Sequence, residues 1–208
     1  MIQKILQRNQ NQENPVFIWN KMNVIIVHGS NSNEEEAKKG KPENKRHWKL
    51  WLKKNLEKED IDVSNKLYPK DWNPNYVDWK KEFEKNKIDE NSILVGHSSG
   101  CAFLLRWLGE KKKKFSKLIL IAPAVIPSEK WASINDLLDF EINRDIRDFV
   151  NKITIFVSNN DSKEVLKSVD VLSQLFNISP IKLLNKGHFT LEDMGTEKFP
   201  ELLCKILE

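Results

Sequence analysis

The stretch SILVGHSSGCAFLLRWL, Ser92–Leu108, constrains this chain more than any other. A continuous apolar run ends in Gly-His-Ser-Ser-Gly, and a helical pattern begins at once. Short runs of this kind read as strands buried on both faces. Others recur along the chain: Asn23–Gly29, Ile61–Pro69, Ser116–Pro123, Lys152–Ser158 and Ser179–Asn185. Helical patterns lie between them. Trp48, Leu52 and Leu56 share one helical face, as do Tyr76, Trp79 and Phe83; Lys163–Phe176 and the segment from Thr196 to Glu208 read as two more helices. Strands alternating with helices imply a mostly parallel sheet of about six strands, helices on both faces, in an α/β fold. No repeat or interdomain linker interrupts residues 22–208, which read as one domain. Residues 1–21 are polar, Asn/Gln-rich and contain Pro15, and read as an extension before it.

In such a sheet, reactive groups gather at the carboxyl ends of the strands. Gly96 and Gly100 flank Ser98 at the spacing G-x-S-x-G, on the turn from the third strand into its helix. A serine on that turn stands above the sheet with its hydroxyl exposed, and glycine on either side prevents clashes where the backbone is tight. The helix that follows points its free N–H groups at the same place, which favours negative charge there.

A serine hydroxyl is protonated at neutral pH and needs a base, and the base needs an orienting acid. Of four histidines, His188 in NKGHFT, just past the sixth strand, is the best placed base. His28 ends the first strand and is a candidate pocket-lining residue. His97 precedes the serine and reads as packing; His47, beside Lys45 and Arg46, reads as solvated. The acid should lie between serine and histidine in chain order. Asp161, directly after the fifth strand, fits by position, ahead of Asp170 within a helix and Asp193 after the histidine. DSKE also reads as a helix N-cap with Glu164 three residues on, and the two roles can coexist. The N–H of Ser99 is one expected oxyanion donor, and Ser30 or Asn31, in the loop after the first strand, is the other. Four of the 7 glycines, Gly29, Gly96, Gly100 and Gly187, fall beside these elements.

Composition removes other classes. The chain has 208 residues and a formal charge of +4, but its lysine runs, Lys38–Lys41 and Lys111–Lys114, carry no interleaved aromatics, so nucleic-acid binding is not expected. No stretch reaches the roughly 20 apolar residues of a membrane span. Two cysteines, Cys101 and Cys204, make no disulfide framework, and a cytoplasmic location is expected. Cys101 reads as a small buried apolar residue in the helix, not a nucleophile. No metal, cofactor or phosphate-loop pattern is seen.

At these residues the chain resembles the small α/β-hydrolases of the retinoblastoma-binding protein 9 and YdeN-like serine hydrolase group. The resemblance covers about Asn23 to Leu207 and rests on VIIVHG, Pro74 and Trp79, GHSSG, LILIAPA, the acid after the fifth strand and GHF. It implies a trimmed α/β-hydrolase core with strand order 2-1-3-4-5-6 and no large lid. It also implies a catalytic triad of Ser98, Asp161 and His188. DSKEV lacks a proline soon after the acid, and Pro123–Asn151 is longer than the family pattern. That segment has room for one or two short helices, with Trp131 a candidate pocket wall. The expected activity is hydrolysis of a small-molecule carboxylic ester or thioester. The rival reading, a binding module on a hydrolase fold, would show a broken triad, and none is seen.

Overall fold

The apolar runs become strands because burial on both faces leaves no room for polar alternation. The computed structural model describes residues 21–39 and 48–208, with two short segments, β1 (Leu6–Gln7) and β2 (Val16–Phe17), that pair antiparallel. His47, residues 45–47 of the expected second-segment helix, and the rest of the 1–21 extension lie outside the described residues.

The main sheet consists of β3 (Asn23–Val27), β4 (Asp62–Ser64), β5 (Ser92–His97), β6 (Phe115–Ile121), β7 (Val150–Ser158) and β8 (Ile181–Leu183). They lie in the order β4-β3-β5-β6-β7-β8, every pair parallel. This is the 2-1-3-4-5-6 order of an α/β-hydrolase core. The order reverses between β3 and β5, which are hydrogen-bonded neighbours, and such a switch point opens a crevice at the carboxyl ends. The two edge strands are shorter than the sequence pattern. Ile61–Pro69 yields only Asp62–Ser64, and Ser179–Asn185 yields Ile181–Leu183. Each has a ladder partner on one side only, and the freed chain around Leu67–Trp72 turns to wall the crevice.

Helices cover both faces: α1 (Glu34–Lys39), α2 (Trp48–Lys58), α3 (Tyr76–Phe83), α4 (Ser99–Lys111), α5 (Asn135–Leu138), α6 (Ile146–Phe149), α7 (Lys163–Phe176), α8 (Leu191–Met194) and α9 (Pro200–Leu207). No described helix is long and apolar enough to cross a membrane. Between β6 and β7 the chain makes only a 3-10 turn, Glu129–Ile134, and the one-turn helices α5 and α6, so the described residues build no large lid. Val24–Val27, Ile93–Val95 and Leu118–Ile121 are buried at the sheet centre. The stripe Tyr76, Trp79 and Phe83 of α3 packs on Phe103 of α4, with ring centroids 5.2–5.8 Å apart. Aromatic burial on this scale contributes several kcal/mol to the core.

The two glycines around Ser98 are explained by what a side chain would strike. A Cβ on Gly96 would lie 2.9 Å from the Cα of Cys101, and one on Gly100 would lie 2.4 Å from the carbonyl oxygen of Val27. The start of α4 therefore sits directly on the end of β3, and backbone cannot give way as a flexible side chain can. Gly100→Ala is expected to destabilise the protein by about 1–3 kcal/mol, as overpacking does. Urea denaturation of the two proteins measures this through the transition midpoint.

Candidate active site

Ser98 joins β5 to α4 with φ 53° and ψ −124°, a conformation that is sterically costly for any residue with a Cβ. Three backbone hydrogen bonds hold it there. Its N–H donates to Ile121 O at 3.0 Å, and its carbonyl accepts from Cys101 N at 3.0 Å and Ala124 N at 3.2 Å. The neighbouring strand end thus fixes the turn, and the Oγ stands half-exposed above the sheet.

His188 Nε2 accepts from that Oγ at 2.9 Å. Its Nδ1–H donates to both oxygens of Asp161, at 3.1 and 3.2 Å. The Asp161 side chain is 2 % exposed, against 32 % for His188, so the carboxylate meets the ring away from bulk water. Asp161 Oδ1 also accepts Ser162 N–H at 2.7 Å. The cap of α7 is Ser162, whose side chain accepts from Val165 N, so the capping role that the sequence left open falls on the next residue. The competing acids are placed elsewhere. Asp170 is exposed on α7, and Asp193 accepts the backbone N–H of His188 at 2.7 Å rather than its ring.

The histidine loop is built from left-handed residues. Asn185, Gly187 and Phe189 have φ of 54°, 48° and 56°. Side chains from other elements tie it down, because such a loop makes few bonds of its own. Lys186 N donates to Ser158 Oγ at 2.8 Å, Gly187 N to Asn160 Oδ1 at 2.9 Å and Asn185 N to Asn159 Oδ1 at 2.8 Å. Trp48 Nε1–H reaches Phe189 O at 3.1 Å. His97 Nε2–H donates to His188 O at 2.9 Å, and its ring lies 5.2 Å from that of His188. Sequence reading assigned His97 to packing; it is buried as expected, and it also holds the loop. The run Ser158-Asn159-Asn160, three short polar residues where a strand ends, was the overlooked signal.

The loop after β3 comes within contact of the elbow. A Cβ on Gly29 would lie 2.7 Å from Ser98 Cβ. Ser30 Oγ and Ser99 Oγ are 2.8 Å apart, and Asn31 Nδ2 donates to Asp71 at 2.6 Å. Ser99 is the first residue of α4, so its N–H has no intrahelical acceptor. These groups border a cleft of about 840 Å³ lined by His28, Ser98 and His188, with Lys49 and the segment Leu67–Trp72. His28 is thus among the residues that line the cleft. Trp131 is not: it lies in the 3-10 turn and packs on the core, because the segment between β6 and β7 folds down onto α4 and the cleft takes its wall from the chain after β4.

A nucleophile elbow facing a histidine and a buried carboxylate, at the switch point of a parallel sheet, is the architecture of an α/β-hydrolase. A family model described as serine hydrolase matches residues 25–207, and the chain belongs to that family. The protein is accordingly a hydrolase. It is 25% identical over 183 residues to YdeN of Bacillus subtilis (strain 168), covering 85% of this chain and 90% of that one. The crystal structure of the B. subtilis ydeN gene product matches with a TM-score of 0.75 at 20% identity, over 90% of this chain and 97% of that one. Est1E of Butyrivibrio proteoclasticus, solved with ferulic acid bound, matches with a TM-score of 0.58 at 11% identity, over 89% and 86% of the two chains, a likeness of fold.

The buried histidines are neutral. His28 donates from Nδ1 to Gly29 O at 2.7 Å and accepts Tyr68 N–H on Nε2 at 2.9 Å, which leaves no site for a second proton. Burial, helped by the charge of Lys49, brings its pKa down to about 4. A histidine whose folded pKa lies below its unfolded value of about 6.5 lets the unfolded chain bind the extra proton, so stability falls as pH drops from 6.5 to 4. The contribution is on the order of 3 kcal/mol, and His97, also pushed well below its usual range by burial, acts in the same direction. Thermal melts of wild type and His28→Gln from pH 7.5 to 4 are expected to show a shallower acid slope in the variant.

Proposed function

We propose that this hydrolase cleaves small carboxylic esters or thioesters through an acyl-enzyme on Ser98. The observation that carries the reading is the unbroken chain from Ser98 Oγ through His188 to Asp161. His188 Nε2 takes the hydroxyl proton as Oγ attacks the substrate carbonyl carbon. The tetrahedral oxyanion is held by the N–H of Ser99 and by that of Ser30 or Asn31. Collapse breaks the bond to the alcohol or thiol, which leaves with the proton from His188. Water, deprotonated by the same nitrogen, then attacks the acyl-enzyme and frees the acid and Ser98. Asp161 keeps the ring in the tautomer that leaves Nε2 free to accept, and stabilises the imidazolium. Loss of one oxyanion donor costs roughly 2.7–4 kcal/mol in sites of this type.

Several features support small substrates. Among the described residues no lid covers the cleft, and the segment between β6 and β7 adds only one-turn elements, so no extended apolar channel is built there for a long acyl chain. Both cysteines are free, in keeping with a reducing cytoplasm, and Cys101 is buried with its thiol pushed up by burial, which leaves Ser98 the better nucleophile.

A fluorophosphonate probe labels serines activated by a neighbouring base. It is expected to label Ser98 alone, and Ser98→Ala is expected to abolish both labelling and ester turnover; undiminished turnover by folded Ser98→Ala would overturn the reading. The acid is tested separately. Asp161→Asn is expected to retain the fold, because Ser162 caps α7, and to lose on the order of 10⁴ in kcat through the wrong imidazole tautomer. Steady-state kinetics with a 4-nitrophenyl ester reads this, and near-native turnover would remove Asp161 from the role.

A further inference from the structure

Among the described residues, Lys49 is the charged side chain in the cleft that is buried and that the hydrolytic scheme leaves unused. It lies on α2 in the stripe Lys49, Leu52, Leu56, whose i, i+3, i+7 spacing turns it inward with the core residues. It is 5 % exposed, and it lines the cleft together with His28, His97 and Ser98. Among the described residues its ammonium has no hydrogen-bond or ion-pair partner. Asp71, whose field favours its charged form, accepts from Asn31 instead and makes no ion pair with it. The ring of Trp48 is 5.7 Å away, a weak substitute for an anion. Burial brings the Lys49 pKa down to about 8, so at neutral pH the group still carries its charge.

A buried ammonium without a partner is costly unless something charged completes it. The two histidines nearest in the electrostatic sense, His28 and His97, are neutral, and Lys49 itself pushes both further from protonation. The carboxylates that border the same cleft are engaged or peripheral: Asp71 with Asn31, Glu82 with Lys85, and Glu192 in the exposed first turn of α8. Asp71 favours the charge of Lys49 without forming an ion pair with it, so the direct partner that the ammonium lacks among the described residues is one that a substrate can supply.

We infer that Lys49 is a specificity-determining residue that binds a carboxylate carried by the substrate, so that the preferred ester or thioester is an anionic one, such as the half-ester of a short dicarboxylic acid. The inference rests on the ester-hydrolase reading. A carboxylate suits the site better than a bulkier anion because the lysine offers a point charge with a few N–H donors and no planar fork for bidentate recognition. In a buried setting one such contact discriminates far more strongly than a cation on the rim would.

Two matched pairs of substrates test it. Monomethyl glutarate against methyl pentanoate places the charge on the acyl side. 4-Acetoxybenzoate against phenyl acetate places it on the leaving side. The wild-type protein is expected to favour the anionic member of one pair by about tenfold or more in kcat/KM, and Lys49→Met is expected to reduce that ratio by about tenfold. Absence of a preference in both pairs, or a ratio that survives in Lys49→Met and in Lys49→Gln, overturns the inference. A binding measurement separates it from the hydrolase reading. If none of the four esters is turned over and no serine is labelled, the hydrolase reading fails, and calorimetric titration with glutarate and 4-hydroxybenzoate still decides the role of Lys49. Binding of either anion to wild type that is lost in Lys49→Met supports the role, while equal binding or none refutes it.

Discussion

The rest of the molecule depends on one backbone turn. Ser98 is held at φ 53° and ψ −124°, a conformation that costs on the order of 1–3 kcal/mol. It persists because the structure around it leaves no alternative. The end of β6 binds the serine N–H, the chain beyond β6 binds its carbonyl, and α4 is pressed so closely onto β3 that only glycine fits at position 100. A buried sheet and a helix with nine of its residues in the core supply far more stabilisation than the turn consumes. The result is a hydroxyl that stands clear of the sheet with the free N–H groups of a helix start behind it.

The partner loop solves a different problem. His188 sits between two left-handed residues, where a loop left to itself would sample many conformations. Seven contacts from outside or across the loop restrain it, among them Asp193 on the His188 N–H and His97 on the His188 carbonyl. The ring then has one orientation that serves both Ser98 and Asp161. The neutral, buried His97 does its part without adding positive charge beside the His188 ring, which would disfavour protonation of that ring. The electrostatic exception is Lys49, buried in the lining of the same cleft.

Much of this was legible in the sequence. Periodicity located the α/β core because each central strand is apolar on both faces and each helix has one apolar stripe; Lys163–Phe176 coincides with α7 residue for residue. G-x-S-x-G, GHF and the acid after the fifth strand marked the three side chains that the structure brings into one hydrogen-bonded line. Less legible were the edge strands. Their alternation continues past the point where a neighbouring strand exists to pair with them, and pairing, not propensity, ends a strand.

Sequence by itself determined the order of elements, the position of the strained turn and the identity of the residues facing one another across it, because each is written as a local pattern or a fixed chain order. Tertiary structure alone decided what surrounds them. It made Ser162 and not Asp161 the cap of α7, turned Asp193 to the backbone of His188, moved the cleft wall from Trp131 to the chain after β4, and brought Lys49 into the lining of the same cleft as the serine. None of these follows from local pattern, since each depends on which distant segment the sheet order brings alongside. Lys49 is buried because α2 turns the face of Lys49, Leu52 and Leu56 inward as it packs on β4 and α9.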